Sequence, residues 1–375
     1  MDLDASLHWL GLSVTPGLAA RLTSRLLKTL GPPEAIFSAS LTELEACRLP
    51  APVAQAIHSR DPLKAAEKEL AELRKLDGKL VHWEEPLYPK LLLEIFDPPP
   101  LLYVRGDPAV LRRHCLSMVG TRRPTPYGNL MAERLAHDLA ERGLVIVSGL
   151  ARGIDSSAHK GAVAAKNGAT IGVLGTGLDV VYPKESKKLY AQIIERGALI
   201  TEFQLGCYPA PENFPIRNRI VAGMSLGAII VEGAQYSGSL ITARLAMEFG
   251  REVFGVPGHA TQPASFAPHQ LIKQGAKLVA NWLDVVEELP TAIRAELFPV
   301  ETPSLEERTS LFEASLNDAE RKLFALLSAE EPLHIDALVE QSSLNSSVVL
   351  PTLFELEMKG FVRQMPGKQF LKVLF

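Results

Sequence analysis

Glycines and arginines meet in several short strings of this 375-residue chain, and that pairing suits an anion. Gly120-Thr121-Arg122-Arg123 offers a sharp backbone exit, a hydroxyl and two guanidiniums within four positions. Glycine lets a backbone approach a ligand closely, and arginine presents a bidentate fork to phosphate. In Ser148-Gly149-Leu150-Ala151-Arg152-Gly153-Ile154-Asp155, Gly149 and Gly153 bracket a loop that carries Arg152. A helix is expected to begin near Asp155, which then reads as its N-cap. A carboxylate there works against phosphate at the same helix end. Asp155 and His159 also have the spacing of an acid–base pair, although a cap and a helix-face residue is the plainer assignment. Asn213-Phe214-Pro215-Ile216-Arg217-Asn218-Arg219 sets an aromatic ring close to two arginines, the ingredients for base stacking and phosphate pairing. Phe214 as ordinary core is the other reading. Ser237-Gly238-Ser239 with Thr242 opens a further helix whose first turn suits oxygen anions.

These strings need elements to position them. Apolar runs at residues 116–119, 144–147, 170–174, 199–201, 228–231 and 253–256 each stop at a glycine, a small polar residue or a glutamate. Roughly fifteen to thirty residues of helical character separate them, the rhythm of βαβ units and a parallel sheet. Ligands of such sheets bind beyond the carboxyl ends of the strands. Gly175-Thr176-Gly177 begins like a dinucleotide fingerprint, but Val180 replaces the third glycine, so it is weak support for NAD. Residues 79–83 and 101–104 read as strands around Asp97-Pro98-Pro99-Pro100, and the prolines restrict them to the edge of the main sheet.

Residues 1–76 read as a small helical domain. A helix over 18–30 follows Thr15-Pro16-Gly17 and another over 53–58 follows Leu49-Pro50-Ala51-Pro52. Such hairpins hold DNA phosphates through turn amides or serve as plain packing units. A helix over 63–76 connects them to an α/β body over 77–290. Residues 291–315 mix Pro, Glu, Thr and Ser as a linker does, and 316–375 follow the order of a winged helix. Its helices are expected over 318–327, 335–340 and 346–359, with Asn317 and Asn345 as N-caps and a hairpin around Pro366-Gly367. The third helix carries Glu355 and Glu357 against a single Lys359. Major-groove readers carry Arg, Lys, Asn or Gln there, so a protein-interaction or regulatory wing is favoured over a DNA reader.

Composition narrows the classes. A formal net charge of −4 excludes a chain coated in positive charge, so nucleic acid would meet a local patch. No apolar run approaches a membrane span, and Met1-Asp2-Leu3-Asp4 is acidic where a signal peptide is basic. Cys47, Cys115 and Cys207 form no Cys-x-x-Cys, and the nine histidines form no His-x-x-x-His pair. No disulfide framework, metal or cofactor is expected, and a reducing cytoplasm is the natural compartment.

Taken in order, the strings at residues 120–128, 148–155, 175–183, 212–219 and 237–243 resemble the DNA-processing protein A family (DprA, also called Smf). The resemblance runs from about residue 101 to 289 and extends more weakly into both ends of the chain. It implies an extended Rossmann-like parallel sheet that binds and protects single-stranded DNA. It also implies a homodimer that hands the strand to RecA during natural transformation, displacing single-strand-binding protein. Carried over by position, the pocket takes Arg122 with its neighbours Gly120, Thr121 and Arg123, then Gly149 and Arg152. From the later strings it takes Phe214, Arg217, Asn218 and Arg219, and Ser239 with Thr242. Two departures stand out: Thr121 replaces the family's usual serine, and Ala267 and His269 replace a glycine and an asparagine after Gly258. An alanine for glycine restricts φ and is expected to reshape that loop.

The sequence therefore reads as a non-enzymatic single-strand binder, with arginines on phosphates and Phe214 against a base. Sequence preference is expected to be weak, because neither contact reads base identity. The rival is a nucleotide-cleaving phosphoribohydrolase on a similar Rossmann core. Residues 233–241 lack the terminal carboxylate of that group's glycine-rich pattern, which leaves Glu202 and Glu232 as its candidate acids. A transcription regulator working through the wing is disfavoured by the acidic third helix.

Overall fold

The computed structural model describes residues 3–298, 316–328, 331–359 and 361–373. The chain divides into two compact units, Met1–Phe298 and Pro299–Phe375. Unit 1 opens with helices α1 (Leu3–Val14), α2 (Ala20–Leu30), α3 (Pro33–Ser38), α4 (Leu41–Ala46), α5 (Ala51–Ser59) and α6 (Asp61–Lys75). Leu12, Leu26, Ile36, Phe37, Leu44 and Ile57 fill the centre of this helical cluster. Trp9, Leu10, Ala66 and Leu73 instead face the sheet and join Leu80, Leu101, Tyr103 and Leu199 in one core. The helical region and the sheet thus share buried surface, and the boundary expected after residue 76 falls inside the unit.

The main sheet has nine strands in the order β1-β2-β6-β5-β4-β3-β7-β8-β9. β1 (Gly78–His82) and β2 (Leu101–Gly106) form an antiparallel pair, and β2 runs antiparallel to β6 (Ala198–Thr201). The short helix α7 (Lys90–Leu93) lies between them in sequence. The proline-flanked strands are therefore an edge addition, as their composition requires. The remaining neighbours are parallel: β3 (Cys115–Val119), β4 (Val145–Ser148), β5 (Ala169–Val173), β7 (Gly227–Ile230), β8 (Glu252–Gly255) and β9 (Lys277–Leu278). The central strands are buried throughout and largely apolar because helices cover both faces, and successive residues serve opposite sides. Val145, Val147, Ala228 and Ile230 enter one core with Ile220, Val221 and Ala243. Leu144, Ile146, Ile229 and Val231 enter the other with Leu135, Leu139 and Ala158.

The connecting helices are α8 (Pro126–Glu141), α9 (Ile154–Ala164), α10 (Lys187–Arg196), α11 (Asn213–Gly223), α12 (Ser239–Glu248) and α13 (Phe266–Lys273). β3 continues into β4, β5 and β6 on one side, whereas β7 and β8 lie on its other side. The order reverses between β3 and β7, which opens a crevice at their carboxyl ends. After β9 come α14 (Trp282–Val286) and α15 (Thr291–Leu297). The first residues of the expected linker are thus helical, because Ile293 and Leu297 pack against the second core. Residues 299–315 lie outside those described.

In unit 2, α16 (Asp318–Leu326), α17 (Ile335–Ser342) and α18 (Ser346–Met358) accompany a sheet of β10 (Leu333–His334), β12 (Gln369–Lys372) and β11 (Val362–Met365). This is a winged helix. Asn317 caps α16 by accepting from Glu320 N at 2.9 Å, and Asn345 caps α18 by accepting from Ser347 N at 3.3 Å. Leu323, Leu338, Val349, Leu353 and Phe370 form its core.

Candidate functional site

The loops that leave β3, β4 and β7 are tied to one another by their backbones. Thr121 N donates to Glu232 O at 2.7 Å, and Ile154 N donates to Thr121 O at 3.2 Å. Gly153 makes this approach feasible: its φ is +80°, and a Cβ would stand 2.3 Å from Thr121 O. Below them Glu232 is buried and accepts from Thr125 N at 2.9 Å and Thr125 Oγ1 at 2.6 Å. Thr125 in turn caps α8. The Glu232 carboxylate is therefore an anchor for the first string.

Helix α11 supplies the most consequential side chains. Asn213, Arg217, Ile220 and Val221 form its buried face at helical spacing. Asn213 donates to Gly175 O at 3.2 Å and so sets the start of the helix on the β5 loop. Phe214 is half-buried, and a Cβ on Gly175 would sit 3.0 Å from its ring. The ring also meets Tyr182, centroid to centroid at 5.5 Å, and the Arg122 guanidinium lies 5.8 Å from its centroid. Phe214 is propped at the surface of the cleft, and the core reading does not hold for it.

Arg217 is buried, and its Nη1 donates to Val173 O at 3.1 Å. Its Nε has no hydrogen-bond partner among the described residues. Burial lowers its pKa, and the Asp155 carboxylate opposes that shift. The guanidinium fits only because residue 149 is glycine: a Cβ there would lie 1.4 Å from Nη1. Asp155 is not the N-cap of α9, a place taken by Gly153. It sits in the first turn, accepts from Ala151 N at 3.3 Å, and burial raises its pKa against the pull of Arg217. His159 is buried beneath the helix, 2.7 Å from Thr170 Oγ1. It does not line the cleft, so no acid–base pair is assembled with Asp155.

These elements enclose a cleft of about 880 Å³ at the β3–β7 switch point. Gly120, Thr121, Arg122, Phe214, Arg217, Asn218, Ser239 and Thr242 line it. A smaller recess of about 40 Å³ shares Arg122, Phe214 and Arg217 with it and includes Gly149 and Arg152. Arg152 is exposed and paired with Glu185. Two named residues are elsewhere. Arg123 is exposed and lines neither cavity. Arg219 points to the other side of α11, where it pairs with Glu202 and lies 3.9 Å from Asp97. The reason is helical geometry: residues 214, 217 and 218 share a face, and 219 is turned from it by more than a quarter turn. The cleft also takes Tyr182, Tyr236 and Phe266, to which the sequence reading assigned no role. Ala267 is helical and buried, donating to Gly233 O at 2.7 Å, so the loss of glycine there meets no φ restriction.

A doubly wound, mostly parallel sheet with an arginine-bearing cleft at its switch point, together with a winged helix, defines a Rossmann-like α/β protein. Residues 79–290 match the family described as DNA recombination-mediator protein A, and residues 308–368 match the DprA winged helix domain. The chain belongs to that DprA/Smf family of DNA-processing proteins. It is 38% identical to protein Smf of Escherichia coli (strain K12) over 82% of this chain and 80% of that protein. It is 40% identical to the DNA processing protein DprA of Bacillus subtilis (strain 168) over 64% of this chain and 86% of that protein. The DprA structure from Streptococcus pneumoniae superposes with a TM-score of 0.66 at 35% identity, covering 76% of this chain and 98% of that one. The DprA of Helicobacter pylori, solved for its single-stranded DNA binding mode, gives 0.51 at 31% identity over 56% and 94%.

Proposed function

We propose that the cleft binds single-stranded DNA without catalysing a reaction on it. The observation that carries this is the meeting of Phe214, propped at the cleft surface, with Arg122 beside its ring and Arg217 buried beneath. A ring with an open face takes an unpaired base, and guanidiniums take the adjoining phosphates. Paired bases in a duplex cannot offer a face to that ring, so single strands are preferred. Gly120, Thr121, Asn218, Ser239 and Thr242 complete the cleft wall, Gly149 seats Arg217, and Arg152, exchanging Glu185 for a phosphate, serves the adjoining recess. Arg123 and Arg219 fall outside this proposal. The chain acts in the cytoplasm as a homodimer that protects a strand and passes it to RecA, as the family resemblance suggests. Both acids of the nucleotide-cleaving alternative are engaged in the fold, Glu232 on Thr125 and Glu202 on Arg219.

Fluorescence anisotropy of a labelled single-stranded oligonucleotide, titrated against unlabelled duplex and AMP, tests the reading. Arg122→Ala is expected to weaken binding at least tenfold, about 1.4 kcal/mol. Phe214→Ala is expected to cost roughly 1–3 kcal/mol with the fold retained, and Phe214→Tyr little. Weak single-strand binding that AMP displaces would move the nucleotide enzyme to first place.

A further inference from the structure

The loop that follows β7 lines the same cleft as Phe214, and Tyr236 on that loop is 92% exposed. Phe266 and Ile241 beside it in the lining are also exposed, at 40% and 39%. No hydrogen bond or ring contact within the described residues engages the Tyr236 side chain. The loop beneath is pinned nonetheless. Gly233 N donates to Ala264 O at 2.6 Å, Ser237 N to Ala234 O at 3.0 Å, and the Ser237 and Ser239 hydroxyls lie 2.8 Å apart. A tethered backbone thus presents a large ring to open cleft.

An aromatic side chain covers roughly 150–250 Å² when buried, and here almost none of that is used. The cleft volume of about 880 Å³ lies near the upper end of the range of roughly 300–1,000 Å³ seen for sites that enclose a whole small molecule. A cleft of that volume has room for more than the one base that Phe214 would stack. The two rings stand on different elements, α11 and the β7–α12 loop, and the buried Ser239 and Thr242 of the first turn of α12 lie in the same lining. A helix start with hydroxyls suits the phosphate that would join two bases.

We propose that Tyr236 is a second base-stacking platform, so that one chain grips two unpaired bases of the same strand. The inference rests on the single-strand reading of the cleft. Stacking is tolerant of base identity, so the second platform adds grip and length dependence rather than sequence preference. A single nucleotide uses Phe214 alone.

The test compares full-length Tyr236→Ala, Tyr236→Phe and Phe214→Ala with the unmodified chain. The probes are thymidine monophosphate and an oligothymidylate of about twelve nucleotides, within the site size of single-strand binders. Tyr236→Ala is expected to lose roughly tenfold on the oligomer and nothing on the monophosphate, while Tyr236→Phe stays near the unmodified chain. Phe214→Ala is expected to weaken both. In addition, Tyr236→Trp should show indole fluorescence quenched by the oligomer. Unchanged oligomer affinity in Tyr236→Ala, alongside a loss in Phe214→Ala, overturns the second platform and leaves the cleft reading standing. An unmodified chain that binds neither probe overturns the cleft reading, and the platform falls with it. Melting curves separate both results from unfolding, to which an exposed side chain contributes little.

Discussion

Gly149 and Arg217 show how a residue without a side chain decides what another can do. The Arg217 guanidinium occupies the space a Cβ on residue 149 would need, 1.4 Å from Nη1. Gly149→Ala must push that group aside or shift the β4 loop. We expect at least a tenfold loss of single-strand affinity, about 1.4 kcal/mol, and overpacking that costs about 1–3 kcal/mol of stability. Anisotropy and denaturant melts check the two separately, and equal affinity would mean that Arg217 makes no contact with the strand. His159 makes a prediction in pH. Burial, reinforced by the charge of Arg217, lowers its pKa to about 3 from 6.5. The unfolded chain therefore takes up a proton below about pH 6.5 that the folded chain refuses, so stability falls with pH over that window. From pH 7 to 5 the cost is about 2 kcal/mol. His159→Asn is expected to lose less stability than the unmodified chain over the same interval, measured by urea melts at each pH. An equal loss would assign the acid sensitivity elsewhere, for instance to His82, whose pKa burial lowers to about 4.

At the scale of elements, α11 and the start of α8 carry the site. Quoted as a linear string, 214–219 offers three candidates for DNA in a row after the ring. Wound into a helix, it divides them: Arg217 and Asn218 reach the cleft, and Arg219 joins Glu202 across the other side. The signal was present in the spacing, because i, i+3 and i+4 share a face, but it becomes usable only once the segment is known to be helical. Glu232 is the converse case. Its place at a strand end was plain from the sequence, yet only the fold shows it capping the entry to α8 through Thr125. A Cβ on Gly128 would stand 2.4 Å from that carboxylate, so the fit is tight. Glu232→Ala leaves two donors without their acceptor and opens a gap. We expect about 1–3 kcal/mol less stability, seen as a lower Tm, and a weaker cleft because the segment that carries Arg122 loses its tie at Thr125. A large loss of DNA binding with no change in Tm would instead give Glu232 a direct role.

At the scale of the whole chain, unit 1 builds its cores from residues before 299, and unit 2 has a core of its own. A chain ended after Phe298 is expected to fold and to keep most single-strand affinity, within about threefold or 0.7 kcal/mol. The exposed face of α18 supports this, since it displays Leu350, Phe354 and Met358 beside Glu355 rather than a row of arginines. Loss of more than tenfold on truncation would make the wing part of the DNA site.

By itself the sequence determined the strand rhythm, the edge position of the proline-flanked strands, the winged-helix order and the strings that gather at the strand ends. Those features are local: apolar period, proline and glycine chemistry and helix capping act within a few residues. Tertiary structure alone decided which members of each string face one another. It turned Arg219 away, buried Arg217 against Gly149, engaged Glu232 in a cap and left Tyr236 open in the cleft. The physical reason is that contact between strings far apart in sequence depends on sheet order and helix rotation. Neither is encoded within any one string.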